Sequence, residues 1–235
     1  MFSAVSTASA LKNGGFESGN LNYWNSQAVQ CNTVPAPTGA GASGGFVGAS
    51  WWVHGSGSSL DAGFGDAILQ DPIGNWAATF IQAEPSWAVL HRVIRIPRKA
   101  RYLSSEVDWL NQATLSGGSA SAGSAARRSP RGILLTGIWQ RPTGKTLKCP
   151  AYAGPQYAQI DLLRAGASPR SLQKKDILAR GWRPVADRTS ADSFLWQEKR
   201  IPVKSLRGKR VRLRVAAIRS LNYINLSLDS WAFRR

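Results

Sequence analysis

The chain has 235 residues, enough to bury a substantial hydrophobic core as one large all-β domain or as two small domains. Hydrophobic residues make up 43% of the sequence and charged residues 18%, with 23 glycines and 10 tryptophans, which excludes a largely disordered chain and indicates a turn-rich fold. No apolar run approaches the roughly 20 residues that cross a bilayer, so no transmembrane segment is predicted.

The net charge of +17 is concentrated in one part of the sequence. Residues 1–90 contain one basic residue, Lys12, against five acidic ones, whereas residues 91–235 contain 29 basic residues against eight acidic ones; the net charges are −4 and +21. The positive charge of the second part is expected to attract anionic partners such as nucleic acid, an anionic membrane surface or acidic polysaccharide. The alternative is a solvated basic face in an arginine-rich protein.

The first ten residues end in small side chains, with an A-x-A arrangement at Ala8 and Ala10. This pattern resembles the cleavage end of a secretory signal that lacks its charged and apolar regions. We therefore interpret residues 1–11 as a tail or a signal-peptide remnant, and expect a secreted or cell-surface protein. Cys31 and Cys149 permit one disulfide or two free thiols, and a disulfide is predicted if the protein is exported.

Short apolar or alternating runs, broken by Gly, Pro, Ser and Asn, follow one another from Gly44 onward. The pattern is typical of strands in a sandwich or barrel, and helical periodicity is nearly absent, so the predicted fold class is all-β. The predicted strands span residues 45–53, 77–82, 88–96, 100–110, 133–139, 157–164, 194–203, 210–218 and 223–233.

Two segments interrupt this series of strands. Residues 116–131 are rich in Gly and Ser and end in a basic cluster of Arg127, Arg128 and Arg131. A domain linker is one interpretation; we favour a flexible loop with an anion-binding arm inside a single domain, residues 12–235, because the flanking segments hold too few strands to close separate cores. Residues 171–179 are predicted to form one short helix, with Ser171 as its N-cap.

The strand at 210–218 opens with arginines that alternate with apolar residues. Because successive side chains of a strand point to opposite faces, Arg210, Arg212 and Arg214 are predicted to project from one face. Guanidinium groups bind carboxylate, sulfate or phosphate through paired hydrogen bonds. This row is therefore a predicted anion-binding surface, and its binding should weaken with salt.

Two aromatic sites are candidates for ligand binding. Trp51 and Trp52 are adjacent, so one should enter the core while the other faces outward beside His54, where its ring could stack on a sugar. The alternative is that loops bury both rings. Trp182, between the nearby Arg180 and its neighbour Arg183, forms the second site, which could hold an anionic sugar or nucleotide.

The segment at 13–24, Asn-Gly-Gly-Phe-Glu-Ser-Gly-Asn-Leu-Asn-Tyr-Trp, resembles the opening of bacterial galactose-binding-like jelly rolls of the carbohydrate-binding-module type. Residues 209–218 and 221–231 resemble the closing strands of that family, and 157–166 and 194–196 resemble its middle strands. The resemblance extends from Asn13 to Phe233. It implies a two-sheet antiparallel β-sandwich in which the N- and C-terminal strands lie side by side.

The same resemblance implies a structural calcium site. In many relatives the Glu of the opening motif and the Asp of the closing strand help to hold Ca²⁺, and these positions correspond to Glu17 and Asp229. Oxygen ligands suit this hard cation. The chain departs from the family at Ser230, where relatives often have a second carboxylate or Asn. The alternative is an exposed turn residue and an ordinary polar group at the end of a strand.

Few residues fit an enzyme. His54 and His91 are the histidines, and neither lies in a hydrolase or metalloprotease motif. The carboxylate pairs closest in sequence are Asp61 with Asp66 and Glu106 with Asp108, and the second pair should share one face of a strand. A solvated turn or a paired strand face explains such pairs more simply. We predict a non-catalytic protein.

The leading hypothesis is a secreted or surface domain that binds carbohydrate, with acidic polysaccharide among its candidate ligands. The alternative is a basic structural subunit that binds nucleic acid or another polyanion within a larger assembly. A hydrolase is a third, weaker hypothesis. The residues leave the oligomeric state and the identity of the ligand open.

Overall fold

The computed structural model describes residues 9–31, 50–55, 71–82, 86–111, 127–128, 134–135, 144–149, 157–181, 196–219 and 224–235. Strands dominate these ranges. They are β1 (Ser9–Ala10), β2 (Asn25–Gln30), β3 (Ser50–Gly55), β4 (Trp76–Gln82), β5 (Ser86–Arg95), β6 (Tyr102–Asn111), β7 (Arg127–Arg128), β8 (Leu134–Leu135), β9 (Tyr157–Arg164), β10 (Ile177–Arg180), β11 (Gln197–Pro202), β12 (Arg210–Arg219) and β13 (Ile224–Arg234).

The strands form two sheets that pack face to face. The first sheet has the order β11-β6-β13-β4-β3, with β1 beside β13, and the second has the order β10-β9-β12-β5-β2. β7 pairs only with β8 among the described strands. Neighbouring strands are antiparallel, as in β12 with β5 and β13 with β6. The predicted all-β, two-sheet antiparallel sandwich is confirmed. No helix in the described part of the chain is long and apolar enough to cross a membrane.

One hydrophobic core fills the space between the sheets. Alternate side chains of each central strand point into it, such as Leu226 and Leu228 on β13 and Val211, Leu213 and Val215 on β12, all fully buried. This alternation follows from the two-residue period of a strand. It leaves each sheet with an outer face, and the two outer faces are built differently.

The opening motif packs against the closing strand, as the family resemblance implies. β1 pairs with β13, Ser9 opposite Phe233 and Ala10 opposite Ala232. Beyond this pairing, the Trp231 N–H donates to the Gly14 carbonyl over 3.0 Å. A Cβ atom at Gly14 would lie 2.6 Å from the Trp231 carbonyl oxygen, so this contact requires glycine.

The predicted helix at 171–179 is wrong. Lys174–Asp176 form a single 3-10 turn, and the chain then continues as the edge strand β10, which pairs with β9. The Ser171 hydroxyl donates to the Asp176 carboxylate over 2.5 Å. A helix this short is marginal on its own, and burial of Leu172 together with the strand pairing of β10 outweighs it.

Residues 144–149 and 165–176, which we call the covering segments, close the outer face of the second sheet. They pair through the Leu147 N–H to the Arg170 carbonyl and the Leu172 N–H to the Lys145 carbonyl, both 2.8 Å. Leu147 and Leu172 pack with outward-facing residues of β5 and β12 in a second apolar cluster. A disulfide between Cys31 and Cys149 joins this cover to the end of β2, so the predicted pairing of the cysteines is confirmed.

The predicted row of exposed arginines is only partly correct. Arg210, Arg212 and Arg214 do share the outer face of β12, but only Arg210 is exposed. Arg212 donates to the carbonyls of Ala165 and Ala167, over 3.0 and 2.9 Å. Because the covering segments lie over this face, the guanidinium of Arg212 holds the chain's own backbone rather than an external anion.

Arg214 is fully buried, and its guanidinium pairs with the equally buried Asp161 carboxylate. It also donates to the carbonyls of Pro169 and Ser171 in the covering segments. Gln159 donates to the other oxygen of the same carboxylate over 2.5 Å. The assignment of Arg214 as an anion ligand is therefore wrong: its charge is neutralised inside the protein.

Replacing Arg214 with Ala should leave the Asp161 carboxylate buried without a counter-charge and lower the free energy of unfolding by roughly 3–5 kcal/mol. Replacing the exposed Arg210 with Ala should change it by less than about 0.5 kcal/mol. Urea denaturation of the two variants, with the disulfide intact, measures both. Equal and small effects would return Arg214 to the candidate anion ligands.

Candidate binding face and carboxylate pair

Strand alternation places a row of polar and aromatic residues on the outer side of the first sheet, where Trp52 is half-buried and the polar members are buried. Trp51 points into the core at 4% exposure, with its ring centroid 5.5 Å from that of Phe80. Trp52 therefore points outward and is half-buried. The prediction that the two tryptophans face opposite sides of one strand is confirmed.

The strand register extends this row across four strands. Trp52 on β3 lies opposite Thr79 on β4, Thr79 opposite Ser227 on β13, and Ser227 opposite Asp108 on β6. The hydroxyls of Thr79 and Ser227 are 2.9 Å apart. At about 4.8 Å between neighbouring strands, the row from Trp52 to Asp108 is about 14 Å long. We call these four residues and His54 the outer polar face.

His54 lies two residues beyond Trp52 on the same face, with ring centroids 5.9 Å apart. It is buried, and burial lowers its pKa, so the imidazole is neutral at pH 7. Nδ1 lies 3.4 Å from the Gly55 carbonyl oxygen, which assigns the proton to Nδ1. Nε2 is buried and has no hydrogen-bond partner in the described part of the chain, which leaves one acceptor for a donor from outside.

Glu106 and Asp108 share the outer face of β6, as predicted. Glu106 lies opposite Glu198 on β11 and opposite Asp229 on β13. Burial and the negative charge of Glu198 raise the pKa of Glu106. Glu198 is held by Arg200, 2.5 Å away, and by Arg234, 3.5 Å away, and the hydrogen bond from Arg200 lowers its pKa. This ion-pair network neutralises Glu198, so the two glutamates are not an open acid–base pair.

A second cluster forms where the opening motif meets β13. The Asp229 carboxylate is fully buried and accepts hydrogen bonds from the N–H groups of Ile73, at 2.9 Å, and Ser230, at 2.5 Å. The Glu17 carboxylate accepts from the backbone and side chain of Asn75, both at 3.1 Å. An ideal Cβ at Gly15 would lie 3.4 Å from Asp229 Oδ1 and 3.7 Å from Glu17 Oε1. The two carboxylates therefore converge beside Gly15.

The backbone around this carboxylate pair is strained. Asn13, Phe16 and Ser230 have positive φ angles of 49°, 57° and 54°. Such angles are uncommon for residues other than glycine, particularly bulky ones such as Phe, and they tend to concentrate at functional or structurally demanding sites. Tight packing holds the turn in place, since Phe16 is fully buried and stacks on Trp24.

Burial raises the pKa of Asp229 to about 7, and the nearby negative charge of Glu17 adds to the effect. Two carboxylates converge here, and the high pKa of one reflects the cost of holding its negative charge at this position. A bound divalent cation would offset that cost by neutralising the charge. The oxygen donors fit Ca²⁺. Among the described residues no group of three or more His, Cys, Asp or Glu side chains converges, so further ligands would have to be carbonyl oxygens or water.

The remaining predicted site residues do not join these clusters. Arg180 is exposed on the edge strand β10 of the second sheet. Its predicted partners Trp182 and Arg183, and also Arg131, lie outside the described residues, as do Asp61 and Asp66. Arg127 and Arg128 form β7, but their side chains are not described. His91 is buried on the outer face of the second sheet, 3.0 Å from the Arg212 guanidinium.

Sequence reasoning missed Thr79 and Ser227 as members of the outer polar face. A signal was present, since each is a single hydroxyl residue between core residues: Thr79 between Ala78 and Phe80, and Ser227 between Leu226 and Leu228. In a strand, that pattern places the hydroxyl on the face away from the core. The register that aligns the two was not accessible from the sequence.

No protein-family model matches the sequence, and no curated protein matches it. Among solved structures, the chain is similar to the carbohydrate-binding module TmCBM61 in complex with β-1,4-galactotriose, with 13% identity, coverage of 97% of this chain and 99% of that chain, and a TM-score of 0.43. It is also similar to the family 11 module of a Clostridium thermocellum cellulase, with 8% identity, coverage of 98% and 96%, and a TM-score of 0.40. A third match is the K1 cleaved adhesin domain of Lys-gingipain from Porphyromonas gingivalis W83, with 9% identity, 98% coverage of both chains and a TM-score of 0.39.

Two of these three structures are carbohydrate-binding modules, the kind of protein that the opening motif at 13–24 resembles. At these identities and TM-scores, the likeness by itself assigns neither a ligand nor a site to this chain.

The pKa of Asp229 gives a prediction with a definite sign. An unfolded Asp has a pKa near 3.9, so between about pH 4 and pH 7 the folded protein keeps a proton that the unfolded chain has lost. Without a cation, the free energy of unfolding contributed by Asp229 should therefore fall as pH rises through this window. Asp229→Asn should remove this dependence, on the order of 3 kcal/mol between pH 4 and pH 7.

The measurement is urea denaturation of the wild type and Asp229→Asn across this pH range with chelator present. The difference between the two profiles is the readout, because His91 contributes with the opposite sign: burial and Arg212 lower its pKa to about 4, so its contribution rises with pH. Parallel profiles would show that Asp229 is ionised throughout.

Proposed function

We propose that this protein is a non-catalytic carbohydrate-binding domain whose ligand contacts the outer polar face. The observation that carries the proposal is the half-buried ring of Trp52 on the outer side of the first sheet, beside the His54 imidazole, whose Nε2 has no hydrogen-bond partner among the described residues. The face of a sugar ring is apolar and its rim carries hydroxyls, so an aromatic ring beside an imidazole acceptor is complementary to it.

The neutral state of His54 supports recognition by hydrogen bonds rather than by charge. With Nδ1 directed at the Gly55 carbonyl, Nε2 is a buried acceptor that a sugar hydroxyl would satisfy. A buried acceptor that stays unpaired costs roughly 1–3 kcal/mol, and a bound hydroxyl would recover part of that cost. The pairing of Glu198 with Arg200 and Arg234 supports a binding role over a hydrolytic one, since it neutralises a carboxylate that lies opposite Glu106.

We also propose that Glu17 and Asp229 hold a structural Ca²⁺. When bound, the ion would neutralise the two carboxylates and tie the opening motif to the closing strand. The disulfide between Cys31 and Cys149 supports a location outside the cell or at its surface, because such bonds persist in oxidising compartments.

Trp52→Ala should weaken binding of a neutral oligosaccharide by about tenfold or more, which corresponds to the 1.4 kcal/mol or so that one stacked aromatic contributes. His54→Phe keeps the ring and removes the acceptor, and should also weaken binding. The measurement is affinity electrophoresis and calorimetry against a panel of neutral polysaccharides that includes β-1,4-galactan, at high salt to suppress charge effects.

The matched control is Trp76→Ala, since Trp76 is 36% exposed but lies on the opposite side of β4 from Thr79. Its affinity should equal that of the wild type. If no glycan on the panel is bound, or if Trp52→Ala binds as tightly as the wild type, the outer polar face is not a carbohydrate site.

Calcium should raise the thermal midpoint at pH 8, where Asp229 is ionised, more than at pH 5. At a hundredfold excess over its dissociation constant, an ion that binds only the folded state adds about 2.7 kcal/mol. Glu17→Gln and Asp229→Asn should abolish the response, whereas Asp176→Asn, a substitution in the covering segments, should retain it. Identical melts of the wild type with calcium and with chelator would exclude the ion.

A further inference from the structure

Positive charge collects at one end of the sandwich. Three segments meet there: the turn between β5 and β6, the connection between β11 and β12, and the last two residues of the chain. The backbone joins them, with the Gly208 N–H donating to the Ile96 carbonyl and the Arg101 N–H to the Arg234 carbonyl, both over 2.8 Å. Residues far apart in the sequence therefore form one surface, which we call the basic end.

Ten basic residues form the basic end: Arg95, Arg98, Lys99, Arg101, Lys204, Arg207, Lys209, Arg210, Arg234 and Arg235. Eight of them are exposed, all except Arg207 and Arg234. The segments that supply them, 95–105, 199–219 and 230–235, contain no Asp or Glu. In the described part of the chain, the ion pair between Arg234 and Glu198 is the only one that any of the ten makes.

Apart from Arg234, the cations of the basic end have no ion-pair partner among the described residues, and they are close enough to act together. Neighbouring cations on a pair of strands, such as Arg95 and Arg210, which lie opposite each other on β5 and β12, are well within the Debye length of about 8 Å at physiological ionic strength. Like charges directly opposite each other destabilise a sheet. A polyanion that bridges the three segments would relieve this repulsion, whereas one small anion would meet only a few of the cations.

The basic end also contains a small cavity of about 240 Å³. Pro97, Ala100 and Phe233 form its apolar part, and four cations line the rest: Arg98, Lys99, Arg234 and Arg235. The volume is below the roughly 300–1,000 Å³ of pockets that enclose a drug-sized ligand. An apolar patch ringed by guanidinium and ammonium groups fits one sugar unit that carries a carboxylate or sulfate group.

Nucleic acid fits this surface less well. Proteins that bind single strands stack successive bases on several aromatic side chains, and Tyr102, 37% exposed, is the one exposed aromatic residue in the three segments. No helix is available in the described residues to read a major groove. The disulfide between Cys31 and Cys149 also indicates an oxidising compartment.

We infer that the basic end binds an acidic polysaccharide, separately from the outer polar face. The inference does not depend on the proposed function, because the two surfaces share no residue. The inference also changes the predicted location of anion binding: of the predicted row of Arg210, Arg212 and Arg214, only Arg210 belongs to the basic end.

The test compares two variants of the full chain that remove the same charge. The first carries Arg98→Gln, Lys99→Gln, Lys209→Gln and Arg235→Gln in the basic end. The control carries Lys145→Gln, Lys148→Gln, Lys174→Gln and Lys175→Gln, four exposed lysines of the covering segments. Binding to polygalacturonate, to dextran sulfate and to uncharged dextran is measured by calorimetry over a salt series, after thermal melts establish that both variants fold.

We expect the basic-end variant to bind the two charged polymers at least tenfold more weakly and with a shallower salt dependence, while the control variant binds like the wild type. The polygalacturonate and dextran sulfate arms distinguish carboxylate from sulfate as the preferred group. Trp52→Ala should bind both as the wild type does, which separates this surface from the outer polar face.

Equal losses in the two charge variants would show that net charge alone is responsible and would overturn the inference. So would a wild type that binds dextran as well as the charged polymers. Tighter binding of single-stranded DNA or RNA than of either polysaccharide at physiological salt, lost in the basic-end variant, would instead assign the surface to nucleic acid.

Discussion

The two sheets share one core, and this constraint decides what the rest of the molecule must do. Each strand buries every second side chain between the sheets, which leaves two outer faces to be covered or to be used. On the second sheet, the covering segments bury the outer face with an apolar cluster, a disulfide and the pair of Arg214 with Asp161. On the first sheet, the outer face keeps hydroxyls, a carboxylate, an imidazole and an indole in one row. Described segments of the chain close the second outer face, whereas the first carries the half-buried ring of Trp52 among buried polar side chains, and this difference is the basis for proposing a structural role for one face and recognition for the other.

The arginines of β12 show how position determines the role of one residue type. Along five residues of strand, Arg210 is in solvent, Arg212 holds backbone carbonyls and Arg214 neutralises a buried carboxylate. Desolvating a guanidinium is costly unless its donors are satisfied, and the covering segments supply the carbonyls that do so. Much of the positive charge in the second part of the sequence is therefore distributed between structure and surface. The surface share is greatest where three segments meet at the basic end.

The opening motif has a structural role, because it fastens the start of the domain to the closing strand β13. Gly14 permits backbone contact with Trp231, Phe16 fills the core, and Gly15 leaves room where the carboxylates of Glu17 and Asp229 converge. Burial and the nearby charge of Glu17 disfavour the ionised form of Asp229 and raise its pKa to about 7. Backbone strain at Asn13, Phe16 and Ser230 surrounds the same point. Backbone strain and negative charge are therefore concentrated where the opening motif meets the closing strand. A cation bound there would stabilise this contact.

The sequence by itself determined the fold class and the opposite orientations of Trp51 and Trp52, because both follow from the two-residue period of a strand. The family resemblance implied the side-by-side terminal strands, and the two cysteines allowed a disulfide without requiring one. The sequence pattern gave a wrong prediction for residues 171–179 and for the exposure of Arg214, because both depend on contacts with neighbouring strands. Part of the predicted helix instead pairs with β9 as the edge strand β10, and Arg214 forms a buried ion pair with Asp161, 53 residues away in the sequence. The row from Trp52 to Asp108 and the basic end were likewise decided only by tertiary structure. Strand register and the meeting of distant turns bring those side chains together, and no spacing within a strand encodes which strands become neighbours.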